Sequence, residues 1–438
     1  MLTIVLALRL FGQKRQLYTL NAIYAGKRFF LSEAFQCKNV WDKRLQAPAI
    51  KNANLDELFL KLDEEFNHFG RASVVDIDVF ANAVRNVTYT SELEDLIYKL
   101  QLSVNSLKPL PSTHHAVIRY FLETEQYEVL LKILSDRLVY GVFPDNFCLC
   151  LILDTFIKKK RIADAARVSC IHMQQEDWSN PLVTSLALFA CHMYVQNPVP
   201  WEVEVEAKNS DREGKAPVEY IRYPYFDNSS EVQDPQLLIG KTLADIGASM
   251  SDGVGQTYRL VGLGLCRKWE EAVSFLEELF IASDKVRLFR GGVQVFKETF
   301  AKELNDKNDP DSKLRESLRR LVNKLDNQRL VTNYDLHTAI ISLVEQAVAR
   351  DENNIIKVQE ALYKEWEMTR EQLMKEDMET SKKPENLSVI QQGEAQLIQE
   401  ELDLFFFGNS KKNELFLEKQ GVSKQKEKTE EMLYNKKE

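Results

Sequence analysis

The strongest constraint on the fold is a helix–turn–helix pattern in residues 141–168. Pro144 and Asp145 predict a turn, because proline presets φ and has no N–H to lose, and Asn146 is a residue type that caps a first helical turn. One helix face then carries apolar residues at the i, i+3, i+4, i+7 spacing, at Leu149, Ile152, Leu153 and Phe156. A second short helix follows the basic run Lys158–Arg161. A hairpin this small cannot bury its own apolar face, so it predicts stacking on similar hairpins.

A second copy of the hairpin lies about 35 residues upstream. Pro109 takes the place of Pro144, and the apolar positions of both helices coincide, although the residues are rarely identical. The segments 53–70, 73–87, 90–107, 180–196 and 257–280 also have helical patterns. We therefore predict an all-α fold in which a helix–turn–helix solenoid is followed by long coiled-coil-like helices.

The turn Gly141-x-x-Pro144-Asp145, followed by a helix and then by Ala-Asp-Ala-Ala at 163–166, resembles the pentatricopeptide repeat. Proteins of that family bind single-stranded RNA along a helical solenoid, roughly one base per repeat. The resemblance places the base-reading position at Cys150 and, one repeat earlier, at His115. Neither residue carries the amide or hydroxyl that is usual there, so reading many bases in sequence is not expected.

Four cations stand at the turn of the central hairpin: Lys158, Lys159, Lys160 and Arg161. Lysine and arginine bind phosphates and supply affinity without sequence information, which predicts an RNA contact at this turn. The alternative is a turn whose charges are only solvated, and the sequence leaves both open. The net charge of −9 and the pI near 5.5 argue against coating nucleic acid by charge alone, so an RNA contact must be local.

The amino-terminal residues 1–32 contain five cations and no acidic residue. Together with apolar residues at helical spacing, this composition is typical of a mitochondrial targeting segment and predicts a matrix location. A secretory signal is the competing interpretation, but no basic residue precedes the apolar start and Arg9 interrupts it. A plain helical or disordered amino terminus is a third interpretation.

The whole chain contains six scattered cysteines, which suggest reduced thiols, and no apolar run that reaches the length of a membrane span.

The rest of the chain divides by composition. Five of the twelve prolines lie between Pro198 and Pro235, which indicates a loop, and leucines at 4-3-4 spacing after Pro310 indicate coiled-coil-like helices. Phe405, Phe406 and Phe407 stand in an acidic segment that predicts docking on another protein. The predicted segments are 1–35 (targeting-like), 50–197 (repeats), 198–235 (linker or docking loop), 236–305 (further hairpins), 311–383 (long helices) and 384–438 (docking segment and charged tail).

No motif indicates catalysis. Cys148-x-Cys150 with His172 or His192 lacks the spacing of a zinc module, and the pairs Gly253-x-Gly255 and Gly262-x-Gly264 lack the frame of a nucleotide-binding loop. Carboxylates stand beside lysines on helix faces, as solvated residues do. We therefore expect no catalytic site, no metal, no cofactor and no small-molecule substrate.

The targeting-like start, the segments AGKRFFLSEAF at 25–35 and YGVFPDNFCLCLILDTFIKKKRIADA at 140–165, and the helical carboxyl half together resemble a pentatricopeptide-repeat family of the mitochondrial small ribosomal subunit. The resemblance implies a non-catalytic constituent that contacts small-subunit ribosomal RNA and neighbouring ribosomal proteins and supports mitochondrial translation. Two other functions stay open: a free RNA-processing or RNA-stability factor with the same repeats, and a helical protein–protein adaptor.

Overall fold

The computed structural model describes residues 30–199, 201, 234–281, 287–305, 312–327, 331–381 and 393–399, with 412, 414–416 and 418. These residues are overwhelmingly helical, which confirms the predicted all-α class. Two compact units are present, residues 1–367 and 368–438, and the elements described below belong to the first except where the last long helix continues beyond it.

Short 3₁₀ turns at Glu33–Gln36, Arg44–Gln46 and Val87–Tyr89 accompany the main elements. Those elements, in chain order, are α1 (Lys38–Lys43), α2 (Pro48–Lys51), α3 (Leu55–Phe69), α4 (Val74–Ala83), α5 (Thr90–Leu102), α6 (Pro111–Glu123), α7 (Tyr127–Ser135), α8 (Arg137–Tyr140), α9 (Asn146–Lys158), α10 (Ile162–Met173), α11 (Pro181–Gln196), α12 (Pro235–Ser249), α13 (Gly253–Leu265), α14 (Trp269–Ile281), β1 (Leu288–Phe289), α15 (Arg290–Asn305), α16 (Ser312–Asn327), β2 (Val331–Thr332) and α17 (Leu336–Ser381).

The 35-residue period is visible in the backbone. Helices α6, α9 and α11 begin at Pro111, Asn146 and Pro181, each 35 positions after the previous one. The turns repeat at the same interval of 35 residues. Glu125 and Lys160 both have a left-handed φ in the turn within a hairpin, and Gly141 and Glu176 both have one in the turn that follows a hairpin. One detail of the prediction was wrong. Asp145, not Asn146, caps α9, and its Oδ1 accepts a hydrogen bond of 2.7 Å from the Cys148 N–H.

The hairpins stack in two layers. The first helices of successive hairpins, α4, α6, α9 and α11, contact one another in that order. The second helices α7, α10 and α12 form the other layer. Buried apolar side chains fill the space between the layers, so each hairpin buries its apolar face on its neighbours.

Helices α12 and α13 approach more closely than any side chain would allow. A Cβ atom on Gly247 would lie 2.4 Å from the backbone N of Arg259, and one on Gly262 would lie 2.4 Å from the backbone N of Ala244. Gly262, which the sequence analysis compared with an incomplete nucleotide-binding motif, and Gly247, which it did not single out, therefore permit backbone contact between the two helices.

The carboxyl half is less continuous than its composition predicts. Strand β2 interrupts the helices of 311–383 and pairs in parallel with β1, so that Leu288 faces Val331. Asp335 then starts α17, because its carboxylate accepts a hydrogen bond from the Thr338 N–H at 3.1 Å. The predicted 4-3-4 face of α16 is buried at Leu318, Leu321 and Leu325, whereas Val358 of α17 is exposed and its neighbour Gln359 is buried.

Candidate nucleic-acid interface and the covered face of the repeats

The first-helix face of the solenoid is the face on which the sequence places the base-reading positions. His115 of α6 and Cys150 of α9 do lie in this layer, but their exposed fractions are 1% and 0%. In this conformation neither side chain is accessible to a nucleotide. What covers them is the chain itself, in two pieces.

The first piece is the strap, which we define as residues 30–46. It crosses the first helices in reverse order. Aromatic contacts fix its path, and the ring centroids lie 4.8 Å apart for Phe30 and Phe189 of α11, 4.8 Å for Phe35 and Phe147 of α9, and 5.0 Å for Trp41 and His115 of α6. At its far end the Arg44 Nε–H donates to the Asn82 carbonyl of α4 at 3.1 Å.

The second piece is the amino-terminal part of α17. Leu336, Ile340, Val344 and Ala347 are buried in the same core as the repeats. Farther along, the Tyr363 hydroxyl lies 2.9 Å from His115 Nε2, and the Trp366 ring centroid lies 5.2 Å from that of His115. The strap and α17 also contact each other, because the Ser32 N–H donates to Glu352 at 2.8 Å.

A buried polar network surrounds His115. Arg119 donates to the Tyr363 hydroxyl at 2.9 Å and to the Gln36 carbonyl of the strap at 2.5 Å. On the other side of the imidazole, the Cys148 Sγ lies 3.2 Å from His115 Nδ1. Burial, with the charges of Arg119 and Arg44, lowers the pKa of His115 well below its usual value, so the ring is neutral at pH 7. Burial raises the pKa of the Cys148 thiol well above its usual value.

A second buried network joins the far end of this face. The Tyr258 hydroxyl of α13 lies 2.6 Å from His192 Nδ1, and His192 Nε2 lies 3.2 Å from His337 Nδ1 at the start of α17. Burial, then the neighbouring His337, lowers the pKa of His192 to about 3. The network therefore links α11, α13 and α17 through groups that are neutral at pH 7.

The basic turn lies at the edge of the solenoid, and its cations have carboxylate partners. Lys158 Nζ lies 2.5 Å from Asp154, and Lys159 Nζ lies 2.6 Å from Glu125 of the preceding turn. Arg161 pairs with Glu128 and Asp164, with its guanidinium 5.0 Å from the centroid of the Tyr127 ring. Lys160 is exposed in the left-handed conformation that turns the chain. The turn is therefore a network of ion pairs whose outer members, Lys159 and Glu125, are exposed.

The sequence missed most of the residues that organise this face. Trp41, Arg119 and Tyr363 carried no motif, and their partners are far away in the chain: Tyr363 and His115 are 248 positions apart. The partners of the basic turn could have been found, because Lys159 and Glu125 are 34 positions apart, which is close to the repeat period.

Phe405, Phe406 and Phe407 lie outside the described residues, as does most of the proline-rich segment 198–235 and of the targeting-like segment 1–35. All six cysteines are free thiols, as predicted. None of the helices in the described ranges is both long and apolar enough to span a bilayer.

Comparison with known families agrees with the resemblance found in the sequence. The family model described as mitochondrial 28S ribosomal protein S27 matches residues 3–396 of the 438. A match of this extent covers the strap, both layers of the solenoid and α17 together. The chain belongs to the mitochondrial 28S ribosomal protein S27 family.

Proposed function

We propose that this protein is a non-catalytic constituent of the small subunit of the mitochondrial ribosome, located in the matrix, and that it contacts ribosomal RNA through phosphates and not through base reading. The observation that carries the proposal is the covered first-helix face: the two positions that the pentatricopeptide resemblance assigns to bases are buried under the strap and α17. RNA contact then falls to the edges of the solenoid, where cations remain accessible.

The basic turn is our proposed phosphate contact. The ion pair between Lys159 and Glu125 is exposed on both sides, and such pairs stabilise proteins by only about 0.2–1 kcal/mol. A hydrogen bond between a charged donor and a phosphate contributes about 1.5–3 kcal/mol. Phosphates that approach this edge can therefore replace Glu125 and Glu128 as partners at little cost to the fold. His115 and Cys150 have no part in this contact.

Contacts with neighbouring ribosomal proteins are supported by exposed apolar side chains in the connections between hairpins, two in the loop after α5 and one in the short helix α8. Val104, Leu107 and Leu138 are 85%, 95% and 91% exposed. Large apolar side chains in water favour coverage by a partner. We keep Phe405–Phe407 as a second docking segment. Deletion of 400–410 with no protein lost from the purified subunit would refute that assignment.

Sedimentation tests the function as a whole. We expect the tagged protein from mitochondrial lysate to migrate with the small subunit on a sucrose gradient, and to stay with it when magnesium is chelated and the subunits separate. Because Leu31 and Phe35 are buried in the core, the protein in that peak should have lost its targeting segment at a point before Phe30. Migration near the top of the gradient would favour a free RNA factor or an adaptor.

Two variants that change the charge of the basic turn in opposite directions test this contact. The double charge reversal Lys159→Glu with Lys160→Glu should reduce incorporation into the subunit by roughly tenfold, as expected for the loss of about 1–2 kcal/mol of phosphate contact. The variant Glu125→Gln removes the competing carboxylate and should leave incorporation unchanged or increase it.

The matched pair also separates the two interpretations of the turn. If the cations were only solvated, both variants would remove the same weak ion pair and leave incorporation equal. Urea unfolding of both variants serves as the control for stability, and we expect shifts below about 1 kcal/mol in each.

A further inference from the structure

Three potential metal ligands meet where the first helices α6 and α9 touch. His115, Asp145 and Cys148 each offer one ligand atom, and these atoms all lie within 4.8 Å of one another. His115 Nδ1 is 3.2 Å from Cys148 Sγ and 4.0 Å from Asp145 Oδ2. The stacking of hairpins creates this group, since Asp145 and Cys148 stand in the first turn of α9 and His115 in the neighbouring helix. It differs from the Cys148-x-Cys150 arrangement that the sequence analysis rejected.

We propose that this group binds one Zn²⁺ ion, with water as the fourth ligand. Imidazole nitrogen, thiolate and carboxylate oxygen are the ligands that zinc prefers. Zinc bonds of about 2.0–2.3 Å place neighbouring ligand atoms of a tetrahedral site roughly 3.3–3.6 Å apart. The distance between His115 and Cys148 is already close to this range. On that geometry Asp145 Oδ2 has to approach His115 Nδ1 by under about 1 Å and Cys148 Sγ by up to roughly 1.5 Å. The Asp145 side chain is 45% exposed, so Oδ2 can shift on the exposed side while Oδ1 stays the cap of α9.

The surroundings of His115 support this assignment. Histidine ligands use their second ring nitrogen for a hydrogen bond that fixes the ring, and His115 Nε2 lies 2.9 Å from the Tyr363 hydroxyl. That hydroxyl accepts a hydrogen bond from Arg119, so it is itself held in place. With Nε2–H donating to Tyr363, the Nδ1 lone pair points toward Cys148 and Asp145.

The charges of the site balance. One thiolate and one carboxylate neutralise the two charges of the ion, which avoids the cost of a buried net charge. The Cys148 thiol has to lose its proton on binding, so binding becomes stronger as the pH rises. Phe147 and Trp41 pack against the His115 ring on the inner side, which leaves the side of Asp145 for entry of the ion and for the water ligand.

A zinc ion here crosslinks two successive hairpins. Because the Tyr363 hydroxyl lies 2.9 Å from His115 Nε2, the ion also ties helix α17 to the hairpins that α17 covers. Without an ion, the same three groups form a buried thiol–imidazole hydrogen bond and a half-exposed carboxylate. A measurement of metal binding through the Cys148 thiolate distinguishes the zinc-bound site from the metal-free hydrogen-bonded site.

Cobalt titration of the full-length protein tests the proposal. Co²⁺ bound through sulfur gives a charge-transfer band in the near ultraviolet, which reports thiolate ligation directly. We expect one Co²⁺ per chain, displaced by one equivalent of Zn²⁺. Cys148→Ser should abolish the band, while the matched variant Cys150→Ser, which alters a buried thiol two residues away, should keep it.

Asp145→Asn makes the test independent of folding. Asparagine is as good a helix cap as aspartate, so α9 should form, but a neutral amide is a poor zinc ligand. We expect at least roughly tenfold weaker Co²⁺ binding with an unchanged circular dichroism spectrum. A wild-type protein that binds no Co²⁺ through sulfur, or a band that Cys150→Ser removes as fully as Cys148→Ser, would overturn the proposal.

Discussion

The covered face of the repeats and the α12–α13 pair both bring helices together, but by opposite means. On the covered face, large side chains from distant segments fill the space, with Trp41 and Tyr363 packed on His115. In the α12–α13 pair the side chains are missing, and Gly247 and Gly262 let the backbones touch. The first arrangement depends on contacts made late in the chain, whereas the second depends on a pattern within about 25 residues of sequence.

The covered face can open locally, whereas the α12–α13 pair cannot. A face closed by side chains of other segments can in principle be uncovered without unfolding the hairpins beneath it, because the hairpins also stack on one another. A pair closed by backbone contact has no such open form. Local opening should therefore begin at the strap and α17, and the α12–α13 pair should open only with the whole unit.

The largest effect is expected from Trp41→Ala. This substitution removes a buried ring that contacts His115, Tyr363 and Arg44, and burying such a ring contributes about 3–5 kcal/mol. We expect a loss of that size in urea unfolding. Hydrogen exchange should become faster in the strap and in α6, and should stay slow in α13.

The control for this variant is Trp41→Phe. It keeps most of the apolar ring and removes an indole N–H that has no hydrogen-bond partner among the described residues. The loss should be well under half of that for alanine. Equal losses would mean that the strap contributes through the backbone and not through the Trp41 ring.

A smaller effect is expected from Gly262→Ala. The added Cβ meets the backbone N of Ala244 and the carbonyl oxygen of Gly240 at 2.4 and 2.5 Å, and backbone atoms cannot move aside as a side chain can. Overpacking of this kind costs about 1–3 kcal/mol. Gly291→Ala in α15 is the matched control, since its nearest neighbour would lie at 3.7 Å. That control should leave stability unchanged or raise it by about 0.5–1 kcal/mol. Equal behaviour of the two variants would show that the helices adjust by sliding.

The two regions also differ in how much the sequence alone predicts. The hairpins follow from local signals, namely the 35-residue spacing of prolines and the apolar helix faces, and the helices begin at Pro111, Asn146 and Pro181 accordingly. The glycines at 240, 247, 255 and 262 were visible as well, but we compared only Gly255 and Gly262 with a nucleotide motif and did not consider a helix contact. Their spacing of seven or eight residues is the signal that was available.

The strap and the placement of α17 could not be predicted. Residues 30–46 contain Phe35 and Trp41 without a helical or strand period, and nothing in one sequence says that Trp41 pairs with Tyr363, more than 300 positions later. The candidate site depends on this pairing. Cys150 and His115 were identified by position within the repeat, and only the tertiary structure shows that their side chains are enclosed.

The smallest expected effect comes from lowering the pH, which should destabilise the covered face and leave the α12–α13 contact unchanged. His192 on the covered face has a folded pKa of about 3, against an ordinary value near 6.5. Between these values the unfolded chain binds a proton that the folded chain does not. The stability contributed by the neutral His192 imidazole is therefore complete above pH 6.5 and declines as the pH falls toward 3. The glycine contacts carry no titratable group. Lowering the pH from 6.5 to 5.5 should therefore cost about 1 kcal/mol through this one residue, because the protonated fraction of the unfolded imidazole rises from about one half to about 0.9.

The variant His192→Gln isolates that proton. It cannot titrate, so the slope of the unfolding free energy against pH should fall by about 0.5 proton at pH 6.5 and by about 0.9 proton at pH 5.5, whatever the variant does to absolute stability. The groups that face His192 are Tyr258, His337 and, near them, Asp335, and the last favours a charged imidazole and limits the effect. A slope equal to that of the wild type would contradict the prediction and would assign the acid sensitivity to the other histidines whose pKa burial lowers, among them His115 and His172. If His192 is responsible, hydrogen exchange at pH 5.5 should become faster first at the junction of α11 with α17, and the variant should lose this change.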